Sequence, residues 1–333
     1  MTIKFHLHIE NSRKRLVLFQ IQDDHIVRAR ARHPALAATL QITNGWDRDL
    51  LDTAMTTAQM MISSTPPRER LTERAPRLRW IQTTGAGVDH LLPLDWLPRT
   101  ITLTNNSGAH GAKCQWYCQM ALLMLNQRMP TLIDQQRARQ WSAVCTPPPA
   151  GEIVVVVGFG DLGRGAARAA RALGLTVVAV TRSGAIEPDG AGLFDEVVAT
   201  AQLDQVLARA DYVVLTTPLT PATRNLFDAA RFAQIKPDAG FINVGRGGLV
   251  DHDALREALT SQHLRGAVID VADIEPLPSD SALWATKNLV ITPHGSCDDP
   301  RYIDILLDSW FANFARYVAN QPLHNVVDRE RGY

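Results

Sequence analysis

No run of about 18 uncharged apolar residues, the length a helix needs to cross a bilayer, occurs in the 333-residue chain, so no membrane-spanning helix is predicted. The opening MTIKFHLHIENSRKR has no long apolar stretch with a small-residue cleavage site, and a cytoplasmic protein is expected. Cysteine is scarce. Cys114, Cys118, Cys145 and Cys297 are too few for a disulfide framework and include no CxxC pair. Cys114 and Cys118 share a helical face, but no nearby His or second Cys pair completes a tetrahedral set, so reduced thiols and no metal are predicted. Net charge is also missing: Lys plus Arg and Asp plus Glu number 34 each, which leaves no basic field to attract nucleic acid. Internal repeats and low-complexity tracts are absent. The expected partner is a small molecule, with neither nucleic acid nor membrane.

What remains is a globular composition, 46% hydrophobic and 20% charged, in a chain long enough for two domains of roughly 100–200 residues. Apolar runs at Leu16–Ile21, Met60–Ser63 and Arg79–Thr83, separated by helix-compatible segments, predict a small α/β domain in the first hundred residues. His6 and His8 alternate in KFHLHIE and would share one face of a strand; the pair is read as structural or solvated rather than as a metal site. A long helix is expected over Ala109–Met129, stopped by Pro130, as a spacer between domains. TPPPAG, at Thr146–Gly151, then breaks regular structure. Strand candidates follow at Ile153–Val157, Thr176–Val180, Tyr212–Thr216, Gly240–Val244, Ala267–Asp270 and Leu289–Ile291. Short apolar strands alternating with helical segments predict a parallel, doubly wound sheet.

The clearest signal is GxGxxG at Gly158, Gly160 and Gly163, directly after Ile153–Val157 and opening an Ala- and Arg-rich helix that reaches Leu173. The first glycine permits a tight turn, the second lets backbone approach a pyrophosphate, and the third lets helix pack on strand. Helix-terminal amides then face the phosphates, so a dinucleotide is the predicted cofactor. An NAD-selective site would usually place Asp or Glu about 20 residues further on. Thr181, Arg182 and Ser183 stand there instead, and an arginine with two hydroxyls suits a 2′-phosphate. NADP(H) is therefore expected, with NAD(H) as the alternative.

Three later segments, INVGRGGLVD at Ile242–Asp251, VIDVADIEPLP at Val268–Pro278 and LVITPHGS at Leu289–Ser296, supply an arginine, a carboxylate and a histidine: Arg246, Glu275 and His294. The first and third follow strand-like runs, whose carboxyl ends are where a doubly wound sheet presents its ligand site. Each residue alone has a bland reading, as a strand cap, a loop acid or a backbone partner. Together they are the groups a hydride transfer to a carbonyl needs. The histidine delivers a proton as charge builds on oxygen, the carboxylate tunes it, and the guanidinium holds a carboxylate and polarises the carbonyl.

With GFGDLG, NVGRGGLVD, DVADIEPLP and ITPH in this order, the chain resembles the D-isomer-specific 2-hydroxyacid dehydrogenases, and most of all their glyoxylate/hydroxypyruvate reductase-like branch. The likeness spans nearly the whole chain, from IQTTGAGVDHL at Ile81–Leu91 and TNNSGAHGAK at Thr104–Lys113 to PLHNVVDRERGY at the end. It implies an enzyme moving a hydride between NADP(H) and a small 2-oxo or 2-hydroxy acid. The implied fold is a Rossmann nucleotide domain, residues 104–296, inserted into a flavodoxin-like substrate domain, residues 1–103 and 297–333, with the site in a cleft. It further implies that backbone amides of Ala86, Gly87 and Val88 bind the substrate carboxylate with Arg246. Asp161, Leu162, Thr217, Pro218, Thr223, Val244, His294 and Ser296 would line the cofactor, with Asp270 near its carboxamide. A homodimer through the nucleotide domains is also implied, with the Ala109–Met129 helix as its contact.

The chain departs from the family in three places. Trp116-Tyr117 stands where Glu before an aromatic is common, Ala272 replaces a frequent aromatic, and Asp298-Asp299 follow the histidine, where extra negative charge would disfavour dicarboxylates or phosphorylated acids if the side chains face the site. The rival reading is a nucleotide-sensing binding protein similar to the C-terminal-binding-protein co-repressors, which share this fold. A formate or phosphite dehydrogenase on the same scaffold is a third.

Overall fold

The computed structural model describes residues 4–186 and 190–333. The chain divides into two compact units, Met1–Ala109 with Asp299–Tyr333, and His110–Asp298.

Five parallel strands form the sheet of the first unit: β1 (Phe5–Asn11), β2 (Leu40–Trp46), β3 (Met60–Ser63), β4 (Trp80–Gln82) and β5 (Thr102–Thr104), in the order β2-β1-β3-β4-β5. Alternation decides the faces. Leu7, Ile9, Met60, Ile62 and Trp80 pack under the helix Tyr302–Val318, whose Tyr302, Leu306, Trp310 and Phe314 recur at helical spacing, while Met61, Ile81 and Leu103 join the core on the other side. Trp310 is fully buried and stacks on Trp80 at 5.3 Å, so truncation to alanine there costs about 3–5 kcal/mol.

β1 was hidden in the sequence because its second face is polar and buried. His8 Nε2 lies 3.0 Å from Glu10, Thr43 Oγ1 sits between His6 and His8, and His6 Nδ1 meets Thr57 Oγ1 at 2.9 Å. The two histidines do share a face, and hydrogen bonds occupy it. Leu16–Ile21, expected as a strand, instead holds one 3-10 turn, Val17–Phe19, with Leu16 and Val17 exposed. β2 and β5 were not foreseen.

In the second unit β6 (Ile153–Val157), β7 (Thr176–Thr181), β8 (Glu196–Ala199), β9 (Tyr212–Leu215), β10 (Ala239–Asn243), β11 (Leu264–Ile269) and β12 (Leu289–Ile291) form a parallel sheet ordered β12-β11-β10-β9-β6-β7-β8. Helices cover both faces, which explains the unbroken apolar runs. Val155 and Val157 enter one core and Val154 and Val156 the other, and β7 and β9 divide in the same way. The short edge strand β8 was missed. The spacer helix is Gly111–Asn126, and Pro130, expected to stop it, sits in the first turn of a second helix, Met129–Arg137. Proline has no N–H to lose there, and its fixed φ suits a helix start. Among the described residues no helix is long and apolar enough to cross a membrane.

Candidate active site

The glycine turn leaves β6 for the helix Asp161–Ala172. Gly158 has φ +92°, and a Cβ on Gly163 would sit 2.1 Å from the Gly158 carbonyl oxygen, so backbone contact forces that glycine. A Cβ on Gly160 would meet nothing within 4 Å. The space beside Gly160 and the helix start, which has no side-chain cap, fit a dinucleotide's pyrophosphate. Nearby, a Cβ on Gly158 would touch Thr217, whose buried Oγ1 has no protein partner. Leu162 lies in the helix's first turn, while Pro218 accepts from the Thr223 hydroxyl, which closes that loop at 2.8 Å. Asp161 differs from expectation. Its carboxylate accepts the N–H groups of His110 (3.0 Å) and Gly111 (2.8 Å), fastening the start of the neighbouring helix.

At the end of β7, Arg182 and Ser183 are exposed. The Thr181 hydroxyl donates to the Ala185 carbonyl at 3.0 Å. With its one proton committed, Thr181 shapes the turn.

Arg246, Glu275 and His294 follow β10, β11 and β12, at the carboxyl edge of the sheet. His294 Nδ1 lies 2.6 Å from Glu275 Oε2. A carboxylate only accepts, so Nδ1 carries the proton and Nε2 faces away from the acid. The hydrogen bond from Glu275 raises the His294 pKa above 6.5 against the opposing effect of burial. Burial pushes Glu275 upward most strongly, but His294 and the Ala272 N–H, at 2.9 Å, together hold it below its ordinary value. Arg246, at the end of β10, lowers both pKa values electrostatically, and its Nη1 donates to the Gly245 carbonyl at 2.8 Å. Its own carbonyl accepts from Asn243 at 3.0 Å, and Val244, before it, is buried at the strand end.

His294 has φ +54°, a left-handed backbone unusual for a side-chain-bearing residue. The fully buried Asp270 holds that turn. Its carboxylate accepts from the Thr292 hydroxyl (2.5 Å) and the N–H groups of Gly295 (2.9 Å) and Ser296 (2.8 Å), and its carbonyl accepts the His294 N–H at 2.8 Å. Tyr117, one of the departures, meets Thr292 Oγ1 at 2.6 Å, whereas Trp116 is exposed. Asp299 pairs with Arg301 at 2.9 Å, and Lys113 pulls against the burial that raises Asp298.

In the first unit the turn after β4 ties the Gly85 carbonyl to Thr83 Oγ1 (2.8 Å) and to the Asn106 N–H (3.0 Å). The N–H groups of Ala86, Gly87 and Val88 find no protein acceptor among the described residues, as an anion-binding concavity requires. Asn106 was missed by the sequence reading. It is buried with both side-chain polar atoms unpartnered, which leaves them available to a ligand or a water; a lone asparagine gives no such signal in a sequence.

The sequence model of the D-isomer specific 2-hydroxyacid dehydrogenase NAD binding domain matches residues 119–296. The chain is 32% identical over 226 residues to an (S)-sulfolactate dehydrogenase from Chromohalobacter salexigens, covering 67% of this chain and 72% of that one. A D-isomer specific 2-hydroxyacid dehydrogenase from Xanthobacter autotrophicus, solved with NADPH and MES, superposes with a TM-score of 0.84 at 30% identity, covering 99% of each chain. An NADPH-dependent glyoxylate/hydroxypyruvate reductase from Sinorhizobium meliloti, solved with NADP and sulfate, gives 0.79 at 27% identity, covering 99% of this chain and 100% of that one. With the nucleotide turn and the histidine–glutamate pair at the edge of one sheet, the chain belongs to the D-isomer-specific 2-hydroxyacid dehydrogenases, NAD(P)-dependent oxidoreductases of 2-hydroxy acids.

Proposed function

We propose that the protein is an NADP(H)-preferring reductase of small 2-oxo acids of the glyoxylate and hydroxypyruvate type. The observation that carries this reading is the 2.6 Å contact of His294 with Glu275, at the same sheet edge as Arg246. When bound, the nicotinamide supplies the hydride that reduces the carbonyl carbon. The chain's own residues manage the oxygen and the carboxylate. His294 is the general acid: Glu275 holds Nδ1, and Nε2 delivers its proton to the carbonyl oxygen as negative charge develops. Arg246 anchors the carboxylate and offsets charge on that oxygen; its planar fork suits both tasks better than lysine. In the first unit the amides of Ala86, Gly87 and Val88 are assigned to the same carboxylate.

Cofactor preference rests on Arg182 with Ser183, whose donors suit a 2′-phosphate, and two of the similar structures are named with NADPH or NADP. A homodimer through the second unit is part of the proposal. Trp116 is 67% exposed and Met120 and Leu123 continue its stripe along the helix Gly111–Asn126, an apolar face that a second copy would cover. Sedimentation as a monomer at micromolar concentration would overturn that part.

The test follows the absorbance of NADPH, and separately NADH, with glyoxylate, hydroxypyruvate, pyruvate and phenylpyruvate. Oxidation of NADPH in preference to NADH is expected with the smaller acids. Cofactor binding without turnover of any acid overturns the reading in favour of a nucleotide sensor.

A further inference from the structure

In a sheet ordered β2-β1-β3-β4-β5 the winding reverses between β1 and β3, and the crevice outside the carboxyl ends of those strands is where an open α/β sheet takes a ligand. Arg15 spans that crevice. From the segment after β1, its Nη1 donates to Thr84 Oγ1, 2.7 Å away on the turn after β4, with β3 lying between the two strands. The guanidinium lies 5.4 Å from the Phe19 ring centre, Phe19 packs edge-on against Tyr302 at 5.4 Å, and the Tyr302 hydroxyl donates to the Thr84 carbonyl. Arg15 is thus a cation fixed in place, not a mobile surface chain.

Its charge has no internal partner. Arg13 pairs with Asp47 at 3.0 Å, and Arg28 and Arg32 pair with Asp304 and Asp308 at 3.0 and 2.8 Å. Among the described residues Arg15 has no ion pair, and burial lowers its pKa against only a smaller opposing effect of the Tyr302 phenol. A guanidinium carries five N–H donors, and Thr84 accepts from one group of them. A half-buried, uncompensated cation is unfavourable until an anion arrives. The unpaired amides of Ala86 to Val88 begin two residues beyond Thr84, and buried Asn106, with its unpartnered amide, bonds Gly85 in the same turn.

We propose that Arg15 is a specificity-determining residue that receives a second oxyanion on the substrate's tail, so that the range of the reductase extends beyond glyoxylate and hydroxypyruvate to 2-oxo acids bearing a distal carboxylate, sulfonate or phosphate. This rests on the assignment of the Ala86–Val88 amides to the first carboxylate. Within the first unit those amides are assigned to the first carboxylate, and Arg15 is anchored on Thr84, two residues before them, where it can meet a second anion on the same ligand.

The test uses the full chain with NADPH, comparing oxaloacetate and 2-oxoglutarate with glyoxylate, which has no tail. Arg15→Gln removes the charge and keeps a donor for Thr84; Arg15→Lys keeps the charge. In R15Q, kcat/KM for the two tailed acids should fall about 10–100-fold, with glyoxylate changed less than about threefold and R15K intermediate. An equal fall for glyoxylate, no fall for the tailed acids, or a wild type that reduces glyoxylate but neither tailed acid overturns the proposal. If wild type reduces none of the acids, the hydroxyacid reading has failed, and calorimetric titration of 2-oxoglutarate into the NADPH-loaded chain decides the inference alone. Binding weakened in R15Q supports it; equal or absent binding overturns it.

Discussion

The turn Gly158–Gly163 in the second unit and the turn Gly85–Val88 in the first both follow a buried parallel strand and both turn backbone N–H groups outward. Space dictates only the former. A Cβ on Gly163 would sit 2.1 Å from a carbonyl oxygen, whereas a Cβ on Gly85 would lie 3.8 Å from its nearest neighbour, an ordinary contact. The first turn is readable as a motif because any other residue collides with the backbone. The second depends on which N–H groups stay unpaired, and many sequences achieve that.

The difference is sharpest where side chains do the chemistry. His294→Ala should lower kcat by about 10²–10⁴ with NADPH affinity retained, measured by turnover and by nucleotide fluorescence titration; full activity would remove His294 from the mechanism. Next in size, Gly163→Ala should cost about 1–3 kcal/mol in thermal unfolding and strip NADPH binding, because the helix start must move. Arg182→Asp is expected to weaken NADPH about 10–30-fold and leave NADH nearly unchanged, and equal affinity for NADPH in the variant would refute the 2′-phosphate assignment.

Glu275→Gln sharpens the electrostatic side of the comparison. Reduction needs protonated His294, so kcat/KM should fall as pH rises through a histidine pKa held above 6.5 by Glu275. Removing the carboxylate's charge moves that alkaline limb to lower pH, and an unmoved profile would separate the two residues. Smallest of all, Gly85→Ala should change kcat/KM by less than about twofold, since the added methyl has room. A large loss there would mean that the turn at Gly85 is as sterically constrained as the one at Gly158–Gly163.

Legibility followed the same division along the chain. β6, β9 and β12 were readable because both faces of each strand are apolar, as helices on both sides of a parallel sheet require. β1 was obscured by His6, His8 and Glu10, polar residues buried by their own hydrogen bonds, and the apolar Leu16–Ile21 stretch stayed outside the sheet. The order of Arg246, Glu275 and His294 was visible in the sequence; that His294 and Glu275 meet at 2.6 Å was not. Asp161 and Asp270, expected along a cofactor, turned out to spend their carboxylates on fastening a helix start and the histidine turn.

By itself the sequence determined what local sterics and periodicity dictate: the glycine turn, the alternation of strand and helix, the two-unit scale of the chain, and the family. Tertiary structure decided which polar groups are left without partners. Arg15 reaching Thr84, the unpaired amides after Gly85 and the stranded Asn106 side chain all depend on contacts between residues far apart in the chain. Whether a donor is spent or waiting is settled only once every neighbour is in place, and that is where substrate recognition is written.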